Sequence, residues 1–181
     1  MLAHYEKGSE SKITIVLSCP GKKEQELNKP ASGVTGEHLE YLLSKLREKY
    51  SHTDFQRGKI TIANAWKKIE FKGKNGTGRS EPTLLEVLDQ DNLNRLSNDI
   101  KNTTDYIICC GKNAKASLLA LKYADKIDCN CKVIYIPHLS TRGLCRSIFE
   151  DIGGAAIKPQ SSNGITKRLD VVADNINKDM K

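Results

Sequence analysis

The chain has 181 residues, 38% of them hydrophobic and 28% charged, a profile that fits one globular domain spanning residues 1–181. No apolar run approaches the roughly 20 residues needed to cross a bilayer, and the polar segment 1–12 has no secretory signal, so a cytoplasmic protein without a membrane partner is expected. Lys and Arg number 29 against 22 Asp and Glu, a net charge of +7, which favours a polyanionic partner held by phosphate neutralisation.

In chain order, residues 12–18 (KITIVLS) form a β-branched run that ends at Pro20-Gly21, the pattern of a buried strand entering a loop. Residues 36–50 place Leu39, Leu42, Leu43 and Leu46 on one helix face. Residues 59–66 (KITIANAW) are a second strand, and residues 72–80 (KGKNGTGRS) a Gly-rich basic loop without periodicity. Helical pieces are predicted at 84–88 and 93–100. A third strand at 105–110 (DYIICC) breaks at Gly111, and a helix runs on through Ala114, Leu118 and Leu121. A fourth strand, 132–136 (KVIYI), runs into Pro137-His138. Residues 146–152 and 166–176 are predicted helices, joined by 153–164.

Strands alternating with helices predict a three-layer α/β/α fold around a central, mostly parallel four-stranded sheet. Such sheets bind ligands at the C-terminal ends of their strands, so the loops after the four strands are where chemistry is expected. Cys19, Cys109, Cys110, Cys129, Cys131 and Cys145 read as buried thiols rather than a disulfide framework. Cys129-Asn130-Cys131 lacks a second pair of matching spacing, so no metal is predicted.

The strand-end segments together resemble the motifs of the uracil-DNA glycosylase superfamily, especially its small microbial branch. After the first strand, Pro20-Gly21-Lys22-Lys23-Glu24 followed by Pro30, Gly33, Gly36 and Leu39 is similar to the family's first motif and the helix behind it. Asn64 follows the second strand at the place of the base-reading asparagine. Gly111-Lys112-Asn113-Ala114 is similar to a glycine-to-helix junction, and His138-Leu139-Ser140-Thr141-Arg142-Gly143 to the histidine-containing segment. These matches cover residues 12–150 in the family's order.

The resemblance implies a DNA N-glycosylase that flips a base out of the stack and hydrolyses its glycosidic bond; a monomer acting without metal or other cofactor is expected. Asn64 would read the pyrimidine edge with its carboxamide, and His138 would donate a hydrogen bond to the departing base as charge develops. Ser140, Thr141, Arg142 and Gly143 would pinch the DNA backbone, with Gly111 and Lys112 offering a helix N-terminus to phosphate. Leu139, or Leu144, would wedge into the emptied stack. The 72–79 loop, with Lys72, Lys74 and Arg79, reads equally as a track for DNA or as a solvated insertion.

Departures from the pattern bear on specificity and mechanism. Ser18 stands at the catalytic position where the resembling branch has a water-orienting glutamate, and Cys19 where another branch has an aspartate. Neither can act as a carboxylate base, and Glu24 has a structural place in the family motif, so the water-activating group is unassigned. Around the base pocket, with Cys19 and Pro20, Ala31 replaces a stacking phenylalanine and Gly21 a bulk-excluding tyrosine. Two small residues there point to a base larger than uracil, such as glucosylated 5-hydroxymethylcytosine of phage DNA, with defence or repair as the setting. The cysteine spacing of the branch's iron–sulfur cluster is missing, so no cluster is expected. A lapsed glycosylase that only binds DNA or protein is the competing reading. An unrelated nucleotide-binding protein is disfavoured because no phosphate-loop or dinucleotide glycine pattern is present.

Overall fold

The structure is a computed structural model that describes residues 2–158 and 163–181. Its centre is a five-stranded mixed sheet in the order β1-β3-β2-β4-β5. The strands are β1 (Tyr5–Glu6), β2 (Ile13–Leu17), β3 (Thr61–Asn64), β4 (Tyr106–Cys110) and β5 (Lys132–Ile136). The last four run parallel, and β1 forms the antiparallel edge strand beside β3, pairing Tyr5 with Ala63. The four expected strands are therefore present. The four-stranded sheet is corrected to five, because β1 is too short to show a period of its own and forms only by pairing with β3.

All five residues of β2 are buried, as a central parallel strand with helices on both faces requires. Ile13, Ile15 and Leu17 face a larger core with Leu39, Leu42, Leu43 and Leu46 of α2 (Val34–Tyr50) and Leu169, Val172, Ala173 and Ile176 of α7 (Gly164–Asp179). Val16 faces the other way, into a core with Leu96 and Ile100 of α4 (Gln90–Ile100) and Ala114, Leu118 and Leu121 of α5 (Lys112–Tyr123). This alternation places helices on both faces, as expected. Each fully buried Leu or Ile contributes on the order of 1.5–3 kcal/mol.

The remaining helices are short: α1 (Lys22–Leu27), α3 (Leu84–Val87) and α6 (Thr141–Ser147). The helix expected at 146–152 instead begins at Thr141, because the Ser140 hydroxyl caps it by accepting the Gly143 amide at 3.1 Å. It stops at Ile148, whose backbone turns extended. Beyond it, the guanidinium of the buried Arg168 donates to the carbonyls of Ile148, Ile157 and Gly164, fastening this stretch to α7. Part of the predicted 153–164 connection, residues 159–162, lies outside the described residues. Among the described residues no helix is long and apolar enough to cross a membrane.

Candidate active site

The C-terminal ends of β2, β3, β4 and β5 open on one cleft of about 600 Å³. Ser18, Cys19, Gly21, Ala31, Asn64, Lys112, His138, Ser140, Arg142 and Gly143 all line it, so most of the residues singled out from the sequence meet in one place. Glu24, Glu70 and Glu81 add carboxylates, and Arg146 joins Lys112 and Arg142 among its basic residues.

Asn64 ends β3 and is 1% exposed. Its Nδ2 donates to the His4 carbonyl at 3.3 Å, while its Oδ1 has no partner in the protein. A buried acceptor without a donor costs about 1–3 kcal/mol, and an incoming N–H would recover it. Because Oδ1 touches no solvent in this state, a ligand would reach it only after a small opening of the surrounding side chains. Behind Asn64, Arg95 donates to the carbonyls of Asn64 and Ala65 at 2.9 and 3.0 Å, holding the strand end in place.

His138 follows β5. Its Nδ1 accepts the Ser140 amide at 3.0 Å, so the neutral ring carries its proton on Nε2. Burial lowers the His138 pKa, against an opposing pull from Glu81, and favours this neutral form. Two glycines leave room for the imidazole. A β-carbon on Gly111 would lie 3.0 Å from His138 Cβ, and one on Gly143 would lie 2.3 Å from the His138 carbonyl oxygen. Gly111 also has φ +87°, open to glycine but strained for other residues. Its role in the glycine-to-helix junction is thus close packing against His138.

Ser18 is 2% exposed and does not act alone. Its hydroxyl donates to Glu81 Oε2 and accepts from Asn113 Nδ2 at 3.1 Å. Asn113 Nδ2 also reaches Glu81 Oε2 at 2.8 Å. The other oxygen, Oε1, lies 3.6 Å from His138 Nε2, longer than a direct hydrogen bond. Glu81 was not found from the sequence. The loop after β3 is long and lacks periodicity, and nothing local marks which of its residues returns to the strand ends.

That return is fixed by an ion cluster built on the buried Glu70. Glu70, 3% exposed, accepts from Trp66 Nε1 at 3.2 Å and from Arg79 Nε at 2.9 Å, and Arg79 Nη2 reaches Glu86 at 2.7 Å. Hydrogen bonds from Arg79 hold the Glu70 carboxyl below its usual range despite burial. Arg79, whose side chain is 37% exposed, ties Glu70 to Glu86, and Lys72 and Lys74 of the same loop are exposed.

The loop after β2 is equally fastened. Glu24 accepts the amides of Gly21, Ser32 and Gly33 at 2.9, 2.9 and 3.1 Å, the structural place its motif implied. Arg57 donates to the carbonyls of Pro30 and Ala31 at 2.6 and 3.1 Å. Pro20 is buried, and its carbonyl accepts the Glu70 amide at 2.9 Å, so it braces the wall. Burial raises the Cys19 pKa to about 12, with Glu81 adding to the effect, which favours the protonated thiol.

One expected role is overturned. Leu139 and Leu144 are 0% exposed and belong to the larger core, so neither stands out as a wedge. The Leu139 backbone is held as well, its carbonyl 2.6 Å from His38 Nδ1. Thr141 and Arg142 are exposed as expected, while the Ser140 hydroxyl is occupied as a helix cap.

Among the described residues no three His, Cys, Asp or Glu side chains gather into a metal-binding group. No protein-family model matches the chain, and no curated protein matches it in sequence.

Proposed function

We propose that this chain is a DNA glycosylase of the uracil-DNA glycosylase type, which takes a pyrimidine out of the stack and hydrolyses its N-glycosidic bond to leave an abasic site. The observation that carries the reading is the convergence of Asn64 and His138 on one cleft at the ends of the parallel strands. Asn64 offers an unpaired acceptor, suited to the amino group of a cytosine-type base or to N3–H of uracil. His138 offers Nε2–H, suited to an oxygen of the departing base, where negative charge grows in the transition state.

Lys112, Arg142 and Arg146 at the cleft suit the phosphates beside a flipped nucleotide, and the net charge of +7 suits DNA as the partner. Gly21 and Ala31 both line the cleft, and the absence of bulk at these two positions favours a bulky 5-modified cytosine, such as glucosylated 5-hydroxymethylcytosine, over uracil.

An abasic-site assay tests the reading. DNA panels would carry uracil, cytosine, 5-hydroxymethylcytosine or its glucosylated form, with Asn64→Ala and His138→Ala proteins in parallel. Cleavage of the bulky base alone, lost in both variants, is the expected result. Cleavage of uracil alone would keep the glycosylase and remove the bulky substrate. No cleavage on any panel would overturn the enzyme, and retained salt-sensitive DNA binding would then favour a binding module.

A further inference from the structure

We infer that Glu81 is the catalytic carboxylate of this site, supplied by the loop after β3 in place of one on the first strand. The inference rests on the glycosylase reading and assigns the group that activates water. Residue 18, where the resembling pattern has a glutamate, is a serine whose hydroxyl donates directly to Glu81 Oε2. A hydrogen bond spans a distance similar to the two bonds by which a glutamate side chain extends past its Cγ. One oxygen of the Glu81 carboxylate thus lies about as far from the residue-18 Cβ as a glutamate oxygen at that position could reach.

Its two oxygens are differently engaged. Oε2 receives both Ser18 Oγ and Asn113 Nδ2, which fixes the orientation of the group. Oε1 faces His138 Nε2 across 3.6 Å without a direct bond. Its side chain remains 37% exposed in the cleft, open to a water molecule. The Glu70–Arg79–Glu86 cluster holds the loop that carries it, so the carboxylate is placed before substrate arrives.

In the hydrolysis, Glu81 Oε1 accepts a proton from water as the water oxygen forms a bond to C1′. The C1′–N bond breaks and its electron pair leaves with the base, whose developing charge is met by His138 Nε2–H. The base anion then takes a proton from solvent, and Glu81 returns its own to solvent. Before attack is complete, the same carboxylate faces the positive charge that grows on the sugar.

The test uses single-turnover cleavage of whichever panel DNA the wild-type protein cleaves, with DNA affinity measured in parallel. Glu81→Gln keeps an acceptor for Ser18 and Asn113 but cannot take a proton. The expected result is a fall in the cleavage rate of about 100- to 10,000-fold with affinity little changed. The double variant Ser18→Glu with Glu81→Ala is expected to regain part of the lost rate by returning a carboxylate from the first strand. Wild-type cleavage with Glu81→Gln within about threefold of it would overturn this assignment and leave the glycosylase standing. Loss of DNA affinity in step with rate, without recovery in the double variant, would make Glu81 a structural residue and overturn it as well. No wild-type cleavage on any panel would overturn both readings together.

Discussion

Replacing Leu139 with alanine separates two roles for the histidine loop. The side chain is 0% exposed and sits in the core shared by α2, α7 and the sheet. The substitution removes three carbons, worth about 2.4 kcal/mol at roughly 0.8 kcal/mol each, and leaves a cavity that raises the cost to about 3–4 kcal/mol. Neighbours can relax only partly, because the backbone at this residue is tied to His38 and the next amide to His138. For a chain of this size the loss corresponds to a melting temperature lower by about 6–15 °C. Urea unfolding followed by circular dichroism and tryptophan fluorescence measures it, and agreement of the two probes checks two-state behaviour. A wedge would instead behave as a surface residue, with stability changed by no more than about 0.5 kcal/mol and base flipping impaired. A measured loss below about 1 kcal/mol would refute the buried placement and return Leu139 to the DNA.

Gly111→Ala should cost about 1–3 kcal/mol through its left-handed backbone and move the His138 ring, which a shift of the imidazole NMR signals would report. Glu24→Gln cannot satisfy the three amides that converge on the carboxylate, so about 1–3 kcal/mol should be lost, with faster hydrogen exchange at Ser32 and Gly33. Burial lowers the pKa of both His138 and His4, so between the folded values and about 6.5 the unfolded chain binds more protons. Their contribution is therefore complete above about pH 6.5 and is lost as the pH falls towards the folded values. Thermal midpoints measured from about pH 7.5 down to 5.5 should fall, and less steeply in a His138→Gln, His4→Gln protein.

Much of the architecture was legible because the sequence repeats its reasons locally. Residues 13–17 of the β-branched run can all be buried only in a central strand, and the Leu39, Leu42, Leu43 and Leu46 spacing has one face to hide. Strand-end punctuation at Pro20-Gly21, Asn64, Gly111 and His138 then pointed to the edge of the sheet where the cleft lies. Helix α6 was misplaced because its start depends on the Ser140 cap and not on apolar periodicity. Leu139 was misread because one leucine in a polar segment looks the same whether it faces DNA or the core.

By itself, then, the sequence determined the alternating strands and helices and the end of the sheet on which the cleft opens, with Asn64 and His138 at its strand ends. Only the tertiary structure decided that Glu81 meets Ser18, Asn113 and His138, that Arg79 clamps Glu70 and Glu86, and that Leu139 is core. The division has a physical basis. Strand and helix patterns follow from contacts every two to four residues, which a linear reading can detect. The partners of Glu81 are 63 residues before it and 32 and 57 after it, and their meeting depends on how a long aperiodic loop folds back over the sheet.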